Sequence, residues 1–272
     1  MQQIVLITGA SSGIGKETAF LLLKNEFIVY AAARRTEKMQ DLKANGAIIV
    51  KMDITNENNI EDCVDLIKKE KGRLDILINN AGFGLYGAME DSKMEDARYQ
   101  FEVNIFGLAR LTQLVLPLMR DQKKGKIINI GSMGGRIYTP LGSWYHASKH
   151  ALEGWTDCVR FEVKQFGIVV ILIEPGIIKS EFGDVMQKSM LEHSENSAYR
   201  NLALKMDHAT AKAYQPKNSS PASVVAKTVL KSIRSKNPKT RYPVGKYARL
   251  GLFIRRLLGD KLYDKALKWQ IG

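Results

Sequence analysis

The chain alternates between short, continuously apolar segments and amphipathic ones over most of its length. The apolar segments are IVLITG (4–9), FIVYAAA (27–33), AIIVKMD (47–53), LDILINNAG (74–82), GKIINIGS (125–132) and IVVILIEPG (168–176). Helical periodicity between them predicts helices near 14–24, 36–44, 57–70, 96–121 and 144–165. Strands that are apolar on both faces are buried in a parallel sheet covered by helices. The alternation therefore predicts an α/β protein with a doubly wound parallel sheet and right-handed crossovers.

A single domain is expected to span residues 1–272, because no repeat or low-complexity tract occurs and no linker precedes position 180. A helix near 221–235 and a strand at 240–244 complete this three-layer α/β/α arrangement, the Rossmann fold. The two cysteines, Cys63 and Cys158, exclude a disulfide scaffold and favour a reducing compartment, although one long-range bridge stays open. We find no signal-peptide pattern and no apolar run near the ~18 residues of a membrane span, and therefore expect a cytoplasmic protein.

Residues 180–220 break the alternation, because this segment is polar, Met-rich and irregular. An excursion from the carboxyl end of a strand lies where open α/β sheets bind their ligands. A disordered surface loop is the alternative, but Phe182, Met186, Met190 and Leu191 are too apolar for it. We predict that the segment forms a lid over the substrate.

A glycine cluster, TGASSGIGK, joins the first strand to the first helix. Backbone amides at a helix start bind anions, and glycines let a pyrophosphate approach the main chain. A P-loop would need four residues between its glycines, whereas five separate Gly9 from Gly15, and Glu17 replaces the metal-binding hydroxyl. The spacing G-x-x-x-G-x-G also differs from the usual G-x-G-x-x-G of dinucleotide sites. A tight turn alone would use glycines too, but the position between strand and helix favours a dinucleotide.

The end of the second strand indicates which dinucleotide binds. Sheets that take NAD place an Asp or Glu about 20 residues after the glycines, where it contacts the ribose hydroxyls. Here Arg34 lies 19 residues after Gly15, Arg35 follows it, and no acid is present. Guanidinium groups bind a 2′-phosphate through charge-assisted hydrogen bonds. We predict NADP(H), with Asp53 contacting the adenine side; two solvated arginines at a strand end are the alternative.

Tyr145 and Lys149 lie one helical turn apart, so that their side chains share a face. A cation ~5 Å from a phenol, at an effective dielectric constant of ~20, contributes about 3 kcal/mol, or roughly two pKa units. We therefore expect Lys149 to lower the pKa of Tyr145 and to make it an acid/base. Ser132, thirteen residues upstream of Tyr145, would hydrogen-bond a carbonyl oxygen as negative charge develops. An ordinary Tyr–Lys pair on an exposed helix is the alternative.

His146 and His150 are also four residues apart, a spacing that can hold a metal ion. No glutamate completes an H-E-x-x-H arrangement around them, and His193 and His208 are the other histidines of the chain. We predict surface or packing roles for both residues and no metal.

Six motifs follow one another along the chain: TGASSGIG (8–15), NNAG (79–82), VNIFG (103–107), INIGS (128–132), YHASK (145–149) and EPG (174–176). With them the chain resembles the short-chain dehydrogenase/reductase family over roughly residues 3–178, and within it the 17β-hydroxysteroid-dehydrogenase-like group. The resemblance implies an oxidoreductase in which Tyr145 is the acid/base and Ser132 binds the substrate oxygen. It also implies that Lys149 holds the nicotinamide ribose and that Asn104 supports a proton relay.

The same resemblance implies a set of cofactor contacts and an assembly. Gly9, Gly13, Ile14 and Gly15 would hold the pyrophosphate, Ser11 and Ser12 would lie near the 2′-phosphate, and Asn80, Ala81 and Gly82 would stabilise the fourth strand and touch the adenosine ribose. Pro175, Gly176 and Ile178 would meet the nicotinamide, with Ser180 where the family often has threonine. The long helices near 96–121 and 144–165 resemble the subunit contacts of the family, which implies a homodimer or homotetramer.

Apolar residues outside the motifs favour a lipophilic ketone, aldehyde or secondary alcohol as substrate. The residues expected to line its cleft are Phe83, Tyr86, Ile137, Tyr138, Leu141, Trp144, Phe182, Met186 and Met190. We therefore predict an NADP(H)-dependent oxidoreductase that interconverts a lipophilic ketone or aldehyde and its alcohol by hydride transfer. Two alternatives stay open: a catalytically silent NADP(H)-sensing binding protein on the same fold, and a peripheral-membrane reductase of lipid ketones.

The C-terminal residues 246–272 form a basic amphipathic extension. Residues 236–272 hold ten Lys or Arg against two acids, a large share of the net charge of +13. The apolar residues Leu250, Phe253, Ile254, Leu257 and Leu258 recur at helical spacing. Such a stripe usually packs in a core, but it could also close the pocket or contact lipid. No zinc-finger or RNA-recognition pattern occurs, so we predict no nucleic-acid partner.

Overall fold

A computed structural model describes residues 2–271, so that Met1 and Gly272, the ends of the predicted domain, lie outside the described residues. Its strands are β1 (Ile4–Thr8), β2 (Ile28–Ala33), β3 (Ile48–Lys51), β4 (Ile76–Asn79), β5 (Gly125–Ile130), β6 (Ile168–Pro175), β7 (Ile178–Lys179), β8 (Ser220–Pro221) and β9 (Arg241–Val244). Seven of them form a parallel sheet in the order β3-β2-β1-β4-β5-β6-β9, and β7 pairs with β8. The chain winds outward from β1 to β3 and then crosses back to β4. The predicted doubly wound parallel sheet is confirmed.

Helices cover both faces of the sheet. Within the described residues they are α1 (Gly13–Leu23), α2 (Gln40–Ala44), α3 (Glu57–Lys71), α4 (Met94–Phe101), α5 (Gly107–Asp121), α6 (Ser143–Val163), α7 (Glu181–His193), α8 (Arg200–Ala213), α9 (Ala222–Arg234), α10 (Ala248–Leu257) and α11 (Asp260–Ile271). Successive strand residues face opposite sides of the sheet. Val5 and Ile7 belong to the core shared with α1 and α9, whereas Ile4 and Leu6 belong to the core shared with α3 and α5. This two-sided burial explains why the strands are continuously apolar.

The long helix predicted over 96–121 is interrupted near its start. One π-helical turn, Glu102–Phe106, separates α4 from α5. A β-carbon on Gly107 would overlap the carbonyl oxygen of Ile54, so only glycine lets the helix approach the loop after β3 this closely. A π-turn inserts an extra residue and changes the direction of the side chains around it. The turn carries Asn104, which is buried.

The stretch Met94–Asp121 is long and apolar enough to cross a membrane by length and composition alone. The expectation that no run approaches a membrane span is therefore wrong. Leu111, Val115 and Met119 on this stretch are fully buried in the core of the domain. This packing is that of a core helix in an α/β fold.

Residues 180–220 are largely helical rather than irregular, because they contain α7 and α8. Met186 and Met190 of α7 and Met206 of α8 pack into one apolar cluster with Tyr86 and Tyr145. About half of the residues in these two helices are polar, so their apolar periodicity is weak in the sequence. The segment is an ordered cover and not a disordered loop.

The C-terminal extension folds as α10 and α11. Three residues of its predicted apolar stripe face outward, because Leu250, Phe253 and Leu257 are 56%, 60% and 65% exposed. The usual core-packing interpretation is therefore wrong for these three residues, whereas Leu258 does pack against the cluster of Ile137, Leu252 and Tyr263. Helix α10 packs through its opposite face, where Ala248 and Leu252 are buried.

The two cysteines are unpaired. Cys63 is buried in α3 and Cys158 is exposed on α6, so the long-range disulfide that the sequence left open does not form.

Candidate active site

A cleft of about 600 Å³ opens at the carboxyl ends of β1, β4, β5 and β6, where sheets of this topology bind their ligands. The predicted site residues that line it are Gly9, Ser11, Ser12, Gly13, Ile14, Arg34, Arg35, Asp53, Asn80, Ala81, Gly82, Ser132, Tyr145, Lys149, Pro175, Gly176, Ile178 and Ser180. Within the described residues, Gly15 and Asn104 are the predicted ones that its wall does not include. Residues that the sequence predicts for one site, from segments far apart along the chain, thus line the same cavity.

The glycine turn after β1 is shaped for the close approach of an anion. Gly9 and Gly13 adopt φ values of +67° and +53°, where other residues are strained. A β-carbon on Gly15 would overlap the carbonyl oxygen of Gly9, so Gly15 packs α1 against the turn instead of facing a ligand. In this part of the described chain, Ser12 makes no side-chain cap to α1 and the first turn holds no acid. The amides that begin α1 fit the pyrophosphate of a dinucleotide.

Arg35 lies against this glycine turn. Its Nη2 atom is 3.2 Å from Ser12 Oγ and 3.5 Å from Ser11 Oγ. The same atom is 3.0 Å from Glu181 Oε2, while Lys38 Nζ is 3.2 Å from Glu181 Oε1. Hydrogen bonds from Arg35 and Lys38 lower the pKa of the Glu181 carboxyl. A guanidinium beside two hydroxyls, with a second cation held by the same carboxylate, has the chemistry of a phosphate site, and Glu181, which sequence reasoning missed, pairs with both cations.

Arg34 lies at the edge of the cleft and contacts different residues from Arg35. Its Nη1 atom donates to the Tyr99 hydroxyl at 2.7 Å and lies 3.8 Å from Asp53 Oδ2. Asp53 also accepts hydrogen bonds from the backbone and the hydroxyl of Thr55, at 3.0 and 2.9 Å. Of the two predicted arginines, Arg35 is therefore the one beside the serines, and Arg34 lies beside Asp53.

Thr8, the last residue of β1, joins the two central strands at the floor of the cleft. Its Oγ1 atom accepts hydrogen bonds from the backbone N–H groups of Asn80 and Ala81, at 3.0 and 2.9 Å. Asn80 Nδ2 donates in turn to the carbonyl oxygens of Thr8 and Gly9, at 2.9 and 3.2 Å. The Asn80 side chain thus holds the ends of β1 and β4 together. Sequence reasoning missed Thr8, whose signal is a hydroxyl residue directly before the first glycine.

Tyr145 lies in an enclosed part of the cleft. The centre of its ring is 5.5 Å from that of Tyr86 and 5.4 Å from that of Phe182. Burial raises the pKa of Tyr145 to about 12, and a hydrogen bond with Ser132 lowers it only in part. Ser132 Oγ accepts a hydrogen bond from the backbone of Gly134 at 3.0 Å. The two predicted substrate-binding groups therefore meet in one wall of the cleft.

Lys149 follows Tyr145 by one turn of α6 and is buried as well. Its Nζ atom donates to the carbonyl oxygen of Ile130 at 3.2 Å, and burial lowers the pKa of Lys149 to about 8. The expected lowering of the Tyr145 pKa by this cation is wrong for the structure. Burial penalises the phenolate and the ammonium alike, so it raises the pKa of Tyr145 and lowers that of Lys149. Near pH 7 the pair consists of a neutral phenol and a charged ammonium.

Asn104 is fixed behind Lys149 by three hydrogen bonds. Its Nδ2 atom donates to Ser148 Oγ and to the carbonyl oxygen of Phe83, both at 3.0 Å, and its Oδ1 atom accepts from the Phe83 backbone at 3.1 Å. A β-carbon on Gly82 would lie 3.0 Å from Asn104 Oδ1 and 3.7 Å from Lys149 Nζ. Glycine at position 82 therefore leaves space between the amide and the ammonium.

Helix α7 is held over Tyr145 by polar contacts at several points. Ser189 Oγ donates to the carbonyl oxygen of Tyr86 at 2.9 Å. Gln187 Nε2 donates to Asp207 Oδ1 of α8 at 2.7 Å. Together with the Glu181 pairs at its first turn, these contacts attach α7 to the segment after β2, to the segment after β4 and to α8.

The predicted apolar residues divide between the cleft and other surfaces. Those that line the cleft are Phe83, Tyr86, Ile137, Phe182 and Met186, while Leu141 and Met190 belong to the cluster under α7 and α8. Trp144 packs instead against Phe101, and Tyr138 packs against Tyr263 of α11. The assignment of Trp144 and Tyr138 to the cleft is therefore wrong, because each faces a neighbouring helix.

His146 is a buried packing residue. Its Nδ1 atom is 2.8 Å from the carbonyl oxygen of Gly134, and its Nε2 atom is 3.0 Å from the backbone nitrogen of Thr139. Burial lowers the pKa of His146 to about 4, so the ring is neutral near pH 7. We assign the proton to Nδ1, which donates to Gly134, while Nε2 accepts from Thr139. His146 thereby holds the segment that follows Ser132.

Comparisons with known proteins agree with this geometry. A family model described as short chain dehydrogenase matches residues 3–190. A 3-ketodihydrosphingosine reductase of Bacteroides thetaiotaomicron is 37% identical over 269 residues, which cover 98% of this chain and 97% of the relative. The crystal structure of a short-chain dehydrogenase from Streptomyces avermitilis superposes with a TM-score of 0.81 at 29% identity, covering 99% of this chain and 96% of the other. The closed form of a serine dehydrogenase complexed with NADP+ superposes with a TM-score of 0.77 at 28% identity, covering 88% and 93%.

Proposed function

The chain belongs to the short-chain dehydrogenase family, and from that premise we propose an NADP(H)-dependent oxidoreductase that interconverts a lipophilic ketone or aldehyde and its alcohol. Membership of the family makes the protein an oxidoreductase acting on CH–OH or C=O groups. One arrangement supports the finer proposal. Ser132 and Tyr145 line the same cleft, between a glycine turn suited to a dinucleotide and an apolar cover.

The preference for NADP(H) rests on Arg35 and Lys38. Arg35 lies within 3.5 Å of Ser11 and Ser12, next to the start of α1. A 2′-phosphate at this place would accept charge-assisted hydrogen bonds that NAD(H) has no group to accept. The NADP+ complex of the related serine dehydrogenase is consistent with this choice. When bound, the nicotinamide supplies the hydride.

In the reducing direction, Tyr145 donates the proton and Ser132 orients the carbonyl group. A phenol with a pKa of about 12 is protonated at neutral pH, so Tyr145 carries the proton that reduction requires. The Ser132 oxygen already accepts from Gly134, and its hydroxyl rotates its own hydrogen from Tyr145 to the carbonyl oxygen as negative charge develops. The proton passes from Tyr145 Oη to that oxygen.

Lys149 and Asn104 act behind the reacting groups. Lys149, charged near pH 7, stabilises the phenolate that remains after Tyr145 has donated its proton. Gly82 leaves space between Lys149 Nζ and Asn104 Oδ1, and we place in this space the route by which a proton returns to the phenolate. In this role Asn104 positions the path and does not touch the substrate.

The cover of the cleft favours a substrate with an apolar chain. Tyr86, Phe182 and Met186 surround the side of Tyr145 that faces α7. Burial of each methylene group contributes ~0.8 kcal/mol, so a long chain would bind well here and a sugar would not. The relative from Bacteroides thetaiotaomicron is, by its name, a reductase of a 3-keto sphingoid compound. We extend that substrate class, a long-chain ketone, to this chain.

A series of methyl ketones of increasing chain length tests the proposal, with NADPH oxidation as the readout. We expect kcat/KM to rise by up to about fourfold per methylene group until the chain fills the cleft. Met186→Ser should flatten that rise, whereas Ser143→Ala, an exposed change at the start of α6, should not. NADPH binding without turnover of any ketone would instead identify a catalytically silent NADP(H)-sensing protein.

We also propose that the protein is a homodimer or homotetramer. Phe106, the last residue of the π-helical turn before α5, and Phe161, near the end of α6, are 55% and 81% exposed, and large exposed aromatic residues are typical of subunit contacts. Sedimentation equilibrium gives the mass directly. A monomer at every concentration would contradict this part of the proposal.

A further inference from the structure

Helix α10 presents an apolar face on the side opposite to its packed face. At 100° per residue, Ala248 and Leu252 lie on the buried side of the helix. Leu250, Phe253 and Leu257 lie on the other side and are 56%, 60% and 65% exposed. A helix of a globular domain normally has polar residues at such positions. The face is therefore unpartnered within the described chain.

Helix α11 repeats this arrangement. Tyr263 is 7% exposed and packs inward, whereas Leu262 and Trp269 face outward and are 54% and 89% exposed. Tryptophan is enriched where proteins meet the boundary between water and lipid, because its ring is amphipathic. Two consecutive helices thus expose bulky apolar side chains of the kind that enters a lipid interface.

Both helices are firmly docked on the domain through their other sides. Tyr138 donates to Asp264 Oδ1 at 2.8 Å, and Tyr263 donates to the carbonyl oxygen of Tyr138 at 3.2 Å. Arg255 pairs with Asp260 at 2.6 Å and lies 5.4 and 5.2 Å from the ring centres of Tyr138 and Tyr263. The outward apolar faces are thus presented by ordered helices and do not result from loose packing.

The charge around these faces is strongly positive. Residues 246–272 contain seven Lys or Arg and two acids, Asp260 and Asp264. Both acids are engaged by the contacts with Arg255 and Tyr138. The cations that border the apolar positions on the two helices are Arg249, Arg256, Lys261, Lys265 and Lys268, all on exposed residues. Apolar residues bordered by cations match a surface that is apolar inside and anionic outside.

The two helices lie next to the substrate end of the cleft. Leu252 packs in one cluster with Ile137 and Met133, and both of these residues also line the cleft. Ile271, at the end of α11, packs against the cluster of Tyr86 and Tyr145 under α7 and α8. A surface that contacts α10 and α11 therefore also lies near the mouth through which an apolar substrate enters.

We propose that α10 and α11 dock the protein on an anionic lipid surface, with Leu250, Phe253, Leu257, Leu262 and Trp269 entering the interface. A second copy of the chain fits this face less well. A two-fold symmetric contact brings the same patch of both copies together, and here it would bring cations against cations. Lipid phosphate groups, in contrast, neutralise the flanking Lys and Arg while acyl chains cover the apolar residues. Docking does not depend on the identity of the substrate, so its test is separate from that of the oxidoreductase activity.

Co-sedimentation with vesicles tests the docking. The full-length protein is mixed with vesicles of phosphatidylcholine alone or of an equimolar mixture with phosphatidylglycerol. We expect binding to the anionic vesicles, weaker binding to the neutral ones, and release as salt is raised. Replacing Leu250, Phe253 and Leu257 together with Ser should weaken vesicle binding by at least about tenfold. Tryptophan emission should shift to shorter wavelength on binding, and Trp269→Phe should abolish that shift.

A matched control distinguishes binding through the apolar face of α10 and α11 from nonspecific binding through any exposed apolar residues. Met89, Met94 and Leu204 are 63%, 46% and 47% exposed outside α10 and α11, and their combined change to Ser should leave vesicle binding intact. Circular dichroism and NADPH affinity establish that each variant is folded. Failure of the wild type to bind anionic vesicles, or equal binding by the two triple variants, would overturn the proposal. The proposal would also be overturned if the wild type bound no vesicles and the α10 triple variant had a lower oligomer mass than the wild type. That result would show that the face joins two copies of the chain.

Discussion

The Arg35 guanidinium pairs with the Glu181 carboxylate at 3.0 Å, and this contact joins the end of β2 to the first turn of α7. Lys38 pairs with the same carboxylate at 3.2 Å. The cations that suit a 2′-phosphate are therefore the ones that hold the beginning of the lid. NADP(H), bound as proposed, would compete with Glu181 of α7 for these two cations.

Replacing Glu181 with Gln should tighten NADPH binding, because the carboxylate competes with the 2′-phosphate for Arg35 and Lys38 and repels it. Both partners are about half exposed, and such ion pairs contribute ~1 kcal/mol or less, so we expect a decrease in Kd of up to about fivefold. Fluorescence titration with NADPH and NADH gives both constants. Glu192→Gln, an exposed change on the same helix, is the control. Weaker NADPH binding by Glu181→Gln would show that the carboxylate helps to hold the cofactor.

Arg35→Gln should weaken NADPH binding by about thirtyfold, which corresponds to the ~2 kcal/mol of a charge-assisted hydrogen bond. NADH affinity should change little, because NADH has no 2′-phosphate. Arg34→Gln should have a smaller effect on NADPH, since Arg34 contacts Tyr99 and Asp53 instead of the serines. The same titrations measure both variants. A larger loss of NADPH affinity in Arg34→Gln would reverse our assignment of the two arginines.

The pH profile of carbonyl reduction should report on Lys149. Burial lowers the pKa of Lys149 to about 8, so its charge is present below that pH and is lost as the pH rises through it. Tyr145, with a pKa of about 12, stays protonated over the same range. We expect kcat/KM to fall above pH 8, and Lys149→Arg to move the fall to higher pH at lower overall activity. An unchanged profile in Lys149→Arg would assign the titration to another group.

Acid should destabilise the protein through His146. Burial lowers its pKa to about 4 in the folded state, from 6.5 for an unperturbed histidine. A lowered histidine pKa means that the unfolded chain binds the proton first, so stability is lost as the pH falls from 6.5 toward 4. The loss amounts to about 3 kcal/mol of unfolding free energy. Urea unfolding at pH 7 and pH 4 should show a smaller pH dependence in His146→Gln than in the wild type or in His150→Gln. Equal dependence in all three would contradict the assignment.

The sheet and most of its helices could be predicted from the sequence, because strands that are buried on both faces consist of consecutive apolar residues. Motifs at strand ends, such as Ser132 after β5, could be predicted for the same reason: the carboxyl ends of parallel strands meet at one edge. The lid was harder to predict. Most residues of α7 are polar, and the few apolar ones, such as Met186, are recognisable as buried only once Tyr86 is placed beside them.

Properties that depend on surroundings were not predictable. The distance along the chain from Gly15 predicted Arg34 as the arginine of the phosphate site. The directions of the two side chains, which the sequence does not show, place Arg35 beside Ser11 and Ser12. The spacing between Tyr145 and Lys149 can be read from the sequence and predicts a lowered Tyr145 pKa. The burial that raises this pKa involves Phe182 and Tyr86, whose positions the sequence does not show. Likewise the helical spacing of the stripe on α10 carries no information about which side faces the domain.

NADPH oxidation by a long-chain ketone at pH 7, compared between the wild type and Tyr145→Phe, tests the proposed chemistry most directly. The variant lacks only the hydroxyl that donates the proton, so turnover should fall by about a thousandfold while the Kd for NADPH changes by less than about twofold. Tyr138→Phe, a change outside the cleft, should keep wild-type turnover. Equal turnover in the wild type and Tyr145→Phe would contradict the assignment of Tyr145 as the proton donor.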